Sequence, residues 1–105
     1  MTTSEEFLYL TTTGHQSSNP HEIEIWYVEH EGCYYLVAER RERSHWVQNI
    51  RANPAITYRL GIRHFRGKGA FPDDPEILNP VKAKMDAKYN WSDGLVVQLC
   101  GEQIT

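Results

Sequence analysis

The sequence lacks any apolar run long enough to cross a membrane, and it contains little cysteine. No hydrophobic stretch approaches the roughly 20 residues that a membrane-spanning helix needs. The opening residues, MTTSEEFLYL, have neither a basic start nor a long apolar stretch, so no signal peptide is visible and we expect a cytoplasmic protein. Cys33 and Cys100 lie far apart and form no CxxC pair, and a cytosolic chain should keep both of them reduced.

Motifs of metal sites and of hydrolytic enzymes are also missing. The five histidines show no recognised metal spacing with one another or with cysteine, so we predict no metal site. No Gly-x-Ser-x-Gly motif indicates a catalytic triad. The formal net charge of −3 gives no general reason to bind nucleic acid or an anionic membrane. Residues 1–105 should form one domain, and a chain this small leaves apolar surface that a partner subunit could cover.

What the sequence does contain is a series of short strand patterns. The segment 34–39 is apolar on both faces, so we expect a strand that is covered on both sides. Hairpins without a βαβ rhythm favour a small, mostly antiparallel barrel over a parallel sheet. We predict a mainly β protein of the α+β kind, with the order β-β-β-α-β-β-α-β and strands at 7–13, 22–28, 34–39, 55–60, 63–70 and 95–100.

The fourth and fifth predicted strands have a defined register. Gly61 suits the first central position of a two-residue type II′ turn between them. That turn places Tyr58 opposite Phe65 and Thr57 opposite Arg66. The apolar residues then share one face, which we expect to be the core face.

Two short helices are expected. Ser44 is a good N-cap for the first helix, which should stop near Asn53, because the following proline disfavours helical backbone at the residue before it. The second helix is expected at 80–89, with Val81 and Met85 on its apolar stripe.

Arginines are concentrated just before the first helix. Arg40, Arg41 and Arg43 fall within four residues and are followed by Ser44. A helix N-terminus and guanidinium groups both suit phosphate or carboxylate oxygens. The segment therefore indicates an anion pocket, and a solvated basic turn is the alternative interpretation.

Several segments together resemble the deazaflavin-dependent nitroreductase and quinone-reductase family. They are 10–28 (LTTTGHQSSNPHEIEIWYV), 34–54 (YYLVAERRERSHWVQNIRANP) and 65–70 (FRGKGA), with a weaker echo at 88–91 (KYNW). The Thr-Thr-Thr-Gly loop and the Trp-x-x-Asn-(hydrophobic)-x-Ala-Asn-Pro stretch carry the most specificity, through their order and separation. The resemblance implies a split β-barrel related to the FMN-binding pyridoxamine-phosphate-oxidase-like proteins.

The resemblance also implies an activity and a site. It implies a homodimeric oxidoreductase that holds a deazaflavin (coenzyme F420) or FMN in a groove near the subunit interface and reduces a small acceptor such as a nitro compound or a quinone. Tyr89 is the nearest candidate for a catalytic residue at the reacting face. Trp26 interrupts a polar strand face, which fits a groove wall, a dimer contact or burial against a helix. The candidate cofactor-binding residues are His15, Gln16, Ser17, Ile23, Ile25, Trp26, Ala38, Glu39, Arg40, Arg41, Trp46 and Asn49.

One segment departs from the family pattern. The usual loop reads Gly-Arg-Lys-Ser-Gly, whereas residues 14–18 read Gly-His-Gln-Ser-Ser, so two cations are missing where a phosphate would be held. Each lost charge-assisted contact costs roughly 1.5–3 kcal/mol. Arg40, Arg41 and Arg43 are the cations that we expect to compensate. The altered loop leaves two alternatives open, a non-catalytic barrel that binds a cofactor or small anion, and a dimeric structural module.

Overall fold

The strand patterns of the sequence build one antiparallel sheet. The computed structural model describes residues 6–104, in which seven strands are ordered β2-β1-β5-β6-β7-β4-β3. The strands are β1 (Leu8–Thr13), β2 (Pro20–Ile25), β3 (Val28–His30), β4 (Cys33–Ala38), β5 (Ala55–Leu60), β6 (Arg63–Ala70) and β7 (Leu95–Gln103). The helices are α1 (His45–Ala52) and α2 (Pro75–Tyr89), and a 3₁₀ turn (Arg41–Arg43) precedes α1.

The two outer strands of the sheet are neighbours in the sequence. β2 and β3 lie at opposite ends of the sheet order, yet only Trp26 and Tyr27 separate them along the chain. Because the three residue steps from Ile25 to Val28 span at most about 11 Å, the sheet must curl until its edges approach each other. The result is the split barrel that the sequence predicts.

The expected single strand at 22–28 is wrong, and this is why the barrel has seven strands where we predicted six. The C-terminal end of α2 forms hydrogen bonds with the backbone of Tyr27, where the chain is interrupted between β2 and β3. Tyr27 N–H donates to the Tyr89 hydroxyl at 3.2 Å, and Tyr27 C=O accepts from Lys88 Nζ at 3.1 Å. These contacts replace ladder hydrogen bonds where the chain passes from one sheet edge to the other.

The core lies on both sides of β4, as its apolar pattern predicts. Tyr34, Leu36 and Ala38 pack inside the barrel, whereas Tyr35 and Val37 pack on the opposite face, beneath α2. All five residues are buried. β4 is therefore the shared wall between the barrel interior and the layer that α2 covers.

The predicted β5–β6 hairpin is confirmed, with Tyr58 paired to Phe65 and Thr57 to Arg66.

α1 ends at Ala52, as expected. α2 begins earlier than the expected 80, since Asp74 caps it by accepting the N–H of Glu76 at 2.9 Å. The proline at 80 lies inside this helix, where it removes one backbone donor without ending the helix.

The buried stripe of α2 forms as predicted, through Val81 and Met85. In the part of the chain that the structure describes, neither helix is long and apolar enough to cross a membrane.

The expectation that both cysteines are reduced is wrong. Cys33 and Cys100 form a disulfide, and their Cα atoms are 4.8 Å apart. The β4–β7 register explains the contact, because Tyr34 pairs with Leu99 and so places the two cysteines opposite each other. Their sequence separation of 67 hides this proximity in the sequence. A cytoplasmic location stays a prediction. The disulfide argues against it, because disulfides are rare in cytosolic proteins.

Candidate functional site

A groove lies where the curled sheet leaves the barrel open, between β2, the end of β4 and the start of α1. It consists of two adjoining cavities of about 730 Å³ and about 490 Å³. Both cavities are lined by His45 and Trp46, and β2 contributes Ile25 to the larger cavity and Ile23 to the smaller one. The two cavities are therefore successive parts of a single groove.

The larger part, which we call the tryptophan cavity, gathers all three tryptophans of the chain. Trp26 stacks on Tyr89 with ring centroids 4.5 Å apart and planes 8° from parallel, and it meets Trp91 edge-on at 6.1 Å. Trp46 comes from the first turn of α1. Aromatic faces and polar groups thus share this cavity, whose lining residues are Phe7, Glu24, Ile25, Trp26, Val37, Ala38, Glu39, Arg40, Arg43, Ser44, His45, Trp46 and Trp91.

Tyr89, the predicted catalytic residue, lies behind this wall and lines neither cavity. Its hydroxyl oxygen is 2.6 Å from the Glu6 carbonyl oxygen and 3.1 Å from that of Tyr27, and it accepts the Tyr27 N–H. Burial raises the pKa of Tyr89 to about 12, so the hydroxyl stays protonated at neutral pH. The structure thus places Tyr89 where it holds Trp26 and the strand break.

The arginine-rich segment divides between the groove and the surface. Arg40 and Arg43 line the tryptophan cavity. Arg41 opens the 3₁₀ turn with a positive φ of 52°, and its Nη2 is 3.0 Å from Asp93 Oδ1 in an exposed ion pair. Ser44 occupies the N-cap position of α1 and lines the cavity, but its side chain makes no capping hydrogen bond. The turn therefore separates Arg41 from the other two arginines.

The smaller part, which we call the histidine cavity, lies against the loop that follows β1. Its lining residues are Gly14, His15, Gln16, Ser17, His21, Glu22, Ile23, His45, Trp46, Gln48 and Asn49. The loop is tight, since Ser18 N–H donates to Gly14 C=O at 2.9 Å and Gly14 N–H donates to Asn19 C=O at 2.8 Å. A Cβ on Gly14 would lie 2.6 Å from Ser17 Oγ and 2.7 Å from His21 Nε2, so a larger residue at this position would require these two side chains to shift.

A single buried amide holds the loop in place. Asn49 is 4% exposed. Its Oδ1 accepts the backbone N–H of His15 at 2.9 Å and lies 2.6 Å from His15 Nδ1. Its Nδ2 donates to Thr12 Oγ1 at 2.9 Å. The side-chain amide of Asn49 is therefore engaged with β1 and the loop, and it fixes the shape of the histidine cavity.

The structure brings together most of the residues that the sequence singled out. Of the predicted cofactor-binding residues, Arg41 alone lies outside the linings of these two cavities, and His15, Gln16, Ser17, Ile23, Ile25, Trp26, Ala38, Glu39, Arg40, Trp46 and Asn49 lie within them.

The lining residues that sequence reasoning did not single out include His45 and Trp91. Trp91 had a signal, because a tryptophan in a polar turn is unusual at a fully solvated position. His45 also had one, since it stands between the N-cap serine and Trp46 at the start of α1.

Solved structures share this architecture at low sequence identity. A pyridoxamine 5′-phosphate oxidase candidate from Listeria innocua aligns with a TM-score of 0.76 and 15% identity, over 95% of this chain and 86% of its own. An F420-H2 dependent reductase (FDR-A) aligns with a TM-score of 0.65 and 21% identity, over 97% of this chain and 98% of its own. A third structure, described as a domain-swapped dimer, aligns with a TM-score of 0.66 and 19% identity, over 97% of this chain and 84% of its own. These likenesses establish the split-barrel fold.

The family follows from the sequence itself. The model of the F420H(2)-dependent quinone reductase family matches residues 2–92, which is most of the chain. The protein belongs to this family, a family of deazaflavin-dependent oxidoreductases. No curated protein matches the chain significantly.

Proposed function

We propose that the protein binds coenzyme F420 in the groove and reduces a small planar acceptor, such as a quinone or a nitro compound. The observation that carries the proposal is the arrangement of the groove. All three tryptophans line one cavity, and that cavity shares His45 and Trp46 with a polar one beside the loop at 14–18. Family membership supports the same cofactor.

The residues present fit a deazaflavin. A volume of about 730 Å³ lies within the roughly 300–1,000 Å³ that is usual for small-molecule sites. Trp26, Trp46 and Trp91 offer flat apolar surface to a planar ring. The hydroxyl and amide groups of Ser17 and Gln16 in the histidine cavity offer donors to a phosphate. We therefore assign the ring to the tryptophan cavity and the anionic tail to the histidine cavity.

The protein's own contribution is position, electrostatics and exclusion of water. When bound, the reduced deazaflavin supplies the hydride. Trp46 contributes to both cavities, so it can orient the ring relative to the tail. Arg40 and Arg43 place positive charge at the rim of the tryptophan cavity, where an anionic group or a developing negative charge is stabilised.

We assign Tyr89 a positioning role. It supports Trp26 from behind, and its hydroxyl is directed at backbone groups. The catalytic role that the resemblance implied for Tyr89 is a separate hypothesis, and replacement of Tyr89 by phenylalanine tests it.

FMN is the alternative cofactor, because the fold is shared with a pyridoxamine 5′-phosphate oxidase candidate. We further propose that two chains associate, since one structural neighbour is described as a domain-swapped dimer. Light scattering of the purified protein measures the mass of the assembly directly.

Steady-state turnover tests the proposed activity. The purified protein is assayed with a quinone and a nitroaromatic acceptor, using reduced F420 and then reduced FMN as donor. We expect turnover with reduced F420 to exceed turnover with reduced FMN. Binding of F420 without turnover would favour a carrier or sensor, and the absence of both binding and turnover would favour a structural module.

A further inference from the structure

The Cys33–Cys100 disulfide joins β4 and β7 where β4 begins, away from the residues that line the two cavities. Both cysteines are partly exposed, and Cys33 follows a turn whose residues, Glu31 and Gly32, are exposed. A disulfide is opened by a thiolate that attacks one of its sulfurs, so the exchange depends on access to the bond. This bridge is therefore accessible to a small thiol from the solvent.

A buried histidine nitrogen beside the bridge lacks a hydrogen-bond partner. His30 pairs directly with Cys33 in the β3–β4 ladder, so their side chains share one face of the sheet, with Cβ atoms about 4.5–5.5 Å apart. The ring of His30 also meets the ring of Tyr35 edge-on, with centroids 6.1 Å apart. Within residues 6–104, His30 Nδ1 is the one buried side-chain nitrogen or oxygen that has no partner.

The other nitrogen of His30 indicates what Nδ1 requires. Nε2 lies 3.4 Å from a carboxylate oxygen of Glu31, which can only accept, so Nε2 carries the proton of the neutral ring. Nδ1 then holds a lone pair and needs a donor. The sulfurs of a disulfide carry no hydrogen, whereas a Cys33 thiol does. The dithiol state therefore supplies the donor that the disulfide state lacks, and it relieves the free-energy cost of an unpaired buried acceptor.

A single packed layer of side chains connects the bridge to the tryptophan cavity. Val37 belongs to this layer and also lines the cavity. Cys33, Trp26 and Trp91 pack against the layer, whose buried members beneath α2 are Val28, Tyr35, Val37, Val81, Met85 and Val96. A change at the start of β4 thus reaches the wall of the tryptophan cavity through contiguous packing.

We propose that the Cys33–Cys100 bridge is a reversible thiol–disulfide switch, opened by a low-molecular-weight thiol, whose dithiol state is stabilised by His30 Nδ1 and binds the cofactor more weakly. The statement about the cofactor rests on the proposed function. The closed bridge fixes β4 to β7 beside the layer against which Trp26 and Trp91 pack. Opening the bridge removes this constraint, and a less preorganised cavity binds its ligand less tightly.

The exchange proceeds by two displacements. A thiolate of the small thiol attacks Cys100 Sγ, the S–S bond breaks, and Cys33 leaves as a thiolate that takes up a proton from solvent beside His30. A second small thiolate then displaces Cys100 from the mixed disulfide, and Cys100 takes up a proton as well. Two small thiols are oxidised to one disulfide, and the protein bridge gains their two electrons and two protons.

Equilibration with reduced and oxidised glutathione at pH 7 tests the switch without any cofactor. Alkylation followed by mass spectrometry counts the dithiol fraction over a range of glutathione ratios, and circular dichroism shows whether the protein stays folded. We expect one reversible transition from disulfide to dithiol in the folded protein. A bridge that opens only when the protein unfolds would be a structural disulfide and would overturn the proposal.

His30→Phe removes the unpaired nitrogen and keeps a flat ring in its place. Because the dithiol state then loses its acceptor, the midpoint of the transition should require a reducing ratio about fivefold larger. His64→Phe makes the same substitution at an exposed position of β6 and should leave the midpoint unchanged. Equal midpoints for His30→Phe and the native protein would overturn the role of His30.

Two probes measure the effect on the groove, namely F420 and the same deazaflavin ring with its ribityl chain but without the phosphate. Both carry the ring that we assign to the tryptophan cavity, so both should bind about fivefold more weakly to the reduced protein than to the oxidised protein. The double variant Cys33→Ser, Cys100→Ser cannot form the bridge. It should bind both probes as the reduced native protein does, with or without reductant.

The outcomes separate this inference from the proposed function. Equal affinities of the two redox states for both probes would overturn the inference and leave the function standing. Failure of both probes to bind either state would overturn the function. The inference is then tested by tryptophan emission of the ligand-free protein: a change on reduction that is absent from the double variant would support it, and unchanged emission would overturn it.

Discussion

The tryptophan cavity is shaped by side chains that pack on one another, whereas the histidine cavity is shaped by hydrogen bonds to one buried amide. Trp26 lies between Tyr89 and Trp91, and these contacts change little with pH. The loop beside the histidine cavity is tied to α1 through Asn49, and three histidines and Glu22 are among the residues that line this cavity. One groove therefore combines an end whose affinity depends on buried apolar area with an end whose affinity depends on charge.

Trp46 is the residue at which both ends meet, so Trp46→Ala should have the largest effect. Truncation of a central aromatic contact typically costs at least about 2 kcal/mol, which is a loss of affinity of about thirtyfold. We expect this loss for F420 and for the phosphate-free deazaflavin alike, measured by titration calorimetry.

Trp46→Phe is the matched control, because it keeps an aromatic face at this position. It should recover most of the affinity, and thermal melts should show that both variants fold. Unchanged affinity of Trp46→Ala for both compounds would contradict the assignment of the deazaflavin ring to the tryptophan cavity.

Asn49→Ala should affect ligand binding at the histidine cavity and not at the tryptophan cavity. It removes the acceptor of the His15 N–H and the donor to the buried Thr12 hydroxyl, and each unpaired buried group costs about 1–3 kcal/mol. We expect urea denaturation to show a stability loss of about 2–3 kcal/mol and calorimetry to show roughly tenfold weaker binding of F420. Binding of the phosphate-free compound should change less than about twofold.

Gln48→Ala is the control for this experiment, since Gln48 makes an exposed hydrogen bond to the Glu42 carbonyl. It should cost at most about 1 kcal/mol of stability. Equal losses for the two probes in Asn49→Ala would show that the two ends of the groove are not independent.

Arg40 and Arg41 offer a matched pair for the role of charge at the rim. Both substitutions by alanine remove one positive charge, but only Arg40 lines the groove. We expect Arg40→Ala to weaken F420 binding about fivefold at low salt, because a rim charge contributes about 1 kcal/mol. Arg41→Ala breaks only an exposed pair with Asp93 and should leave the affinity unchanged. Equal effects would indicate attraction by net charge rather than by a site.

Tyr89→Phe should have the smallest effect at neutral pH, because the ring that stacks on Trp26 is kept. We expect affinity and turnover within about twofold of the native values. A loss of turnover with unchanged affinity would instead support the catalytic role that the resemblance implied for Tyr89.

The same variant has a pH signature. The folded-state pKa of Tyr89 is raised to about 12 from an ordinary value of 10.0, so its contribution to stability is complete below pH 10 and is lost as the pH rises through 12. Urea midpoints at pH 8 and pH 11 should therefore fall more in the native protein than in Tyr89→Phe. Burial also raises the pKa of Tyr58 to about 12. Tyr58 is present in both proteins, so its effect on the pH dependence of stability is the same in the native protein and in Tyr89→Phe.

The local part of this structure could be predicted from the sequence. Alternation and turn chemistry are properties of neighbouring residues, so they predicted the β5–β6 register and the strand that is buried on both faces. The resemblance named residues that the structure brings to the two cavities, since the loop after β1 and the start of α1 carry its most specific motifs.

What could not be predicted depends on contacts between distant residues. The strand break at Tyr27 is held by Tyr89, 62 residues away, and the disulfide joins cysteines 67 residues apart. Asn49 reaches His15 across 34 residues, and the ion pair of Arg41 depends on Asp93, 52 residues on. None of these partners is marked by local spacing, because the curl of the sheet brings them together.

Tryptophan emission during titration with oxidised F420 tests the central claim most directly, because all three tryptophans line the cavity assigned to the ring. The account predicts saturable quenching of most of the emission, with one F420 bound per chain. Emission that stays unchanged, or that falls linearly without saturation, would contradict it.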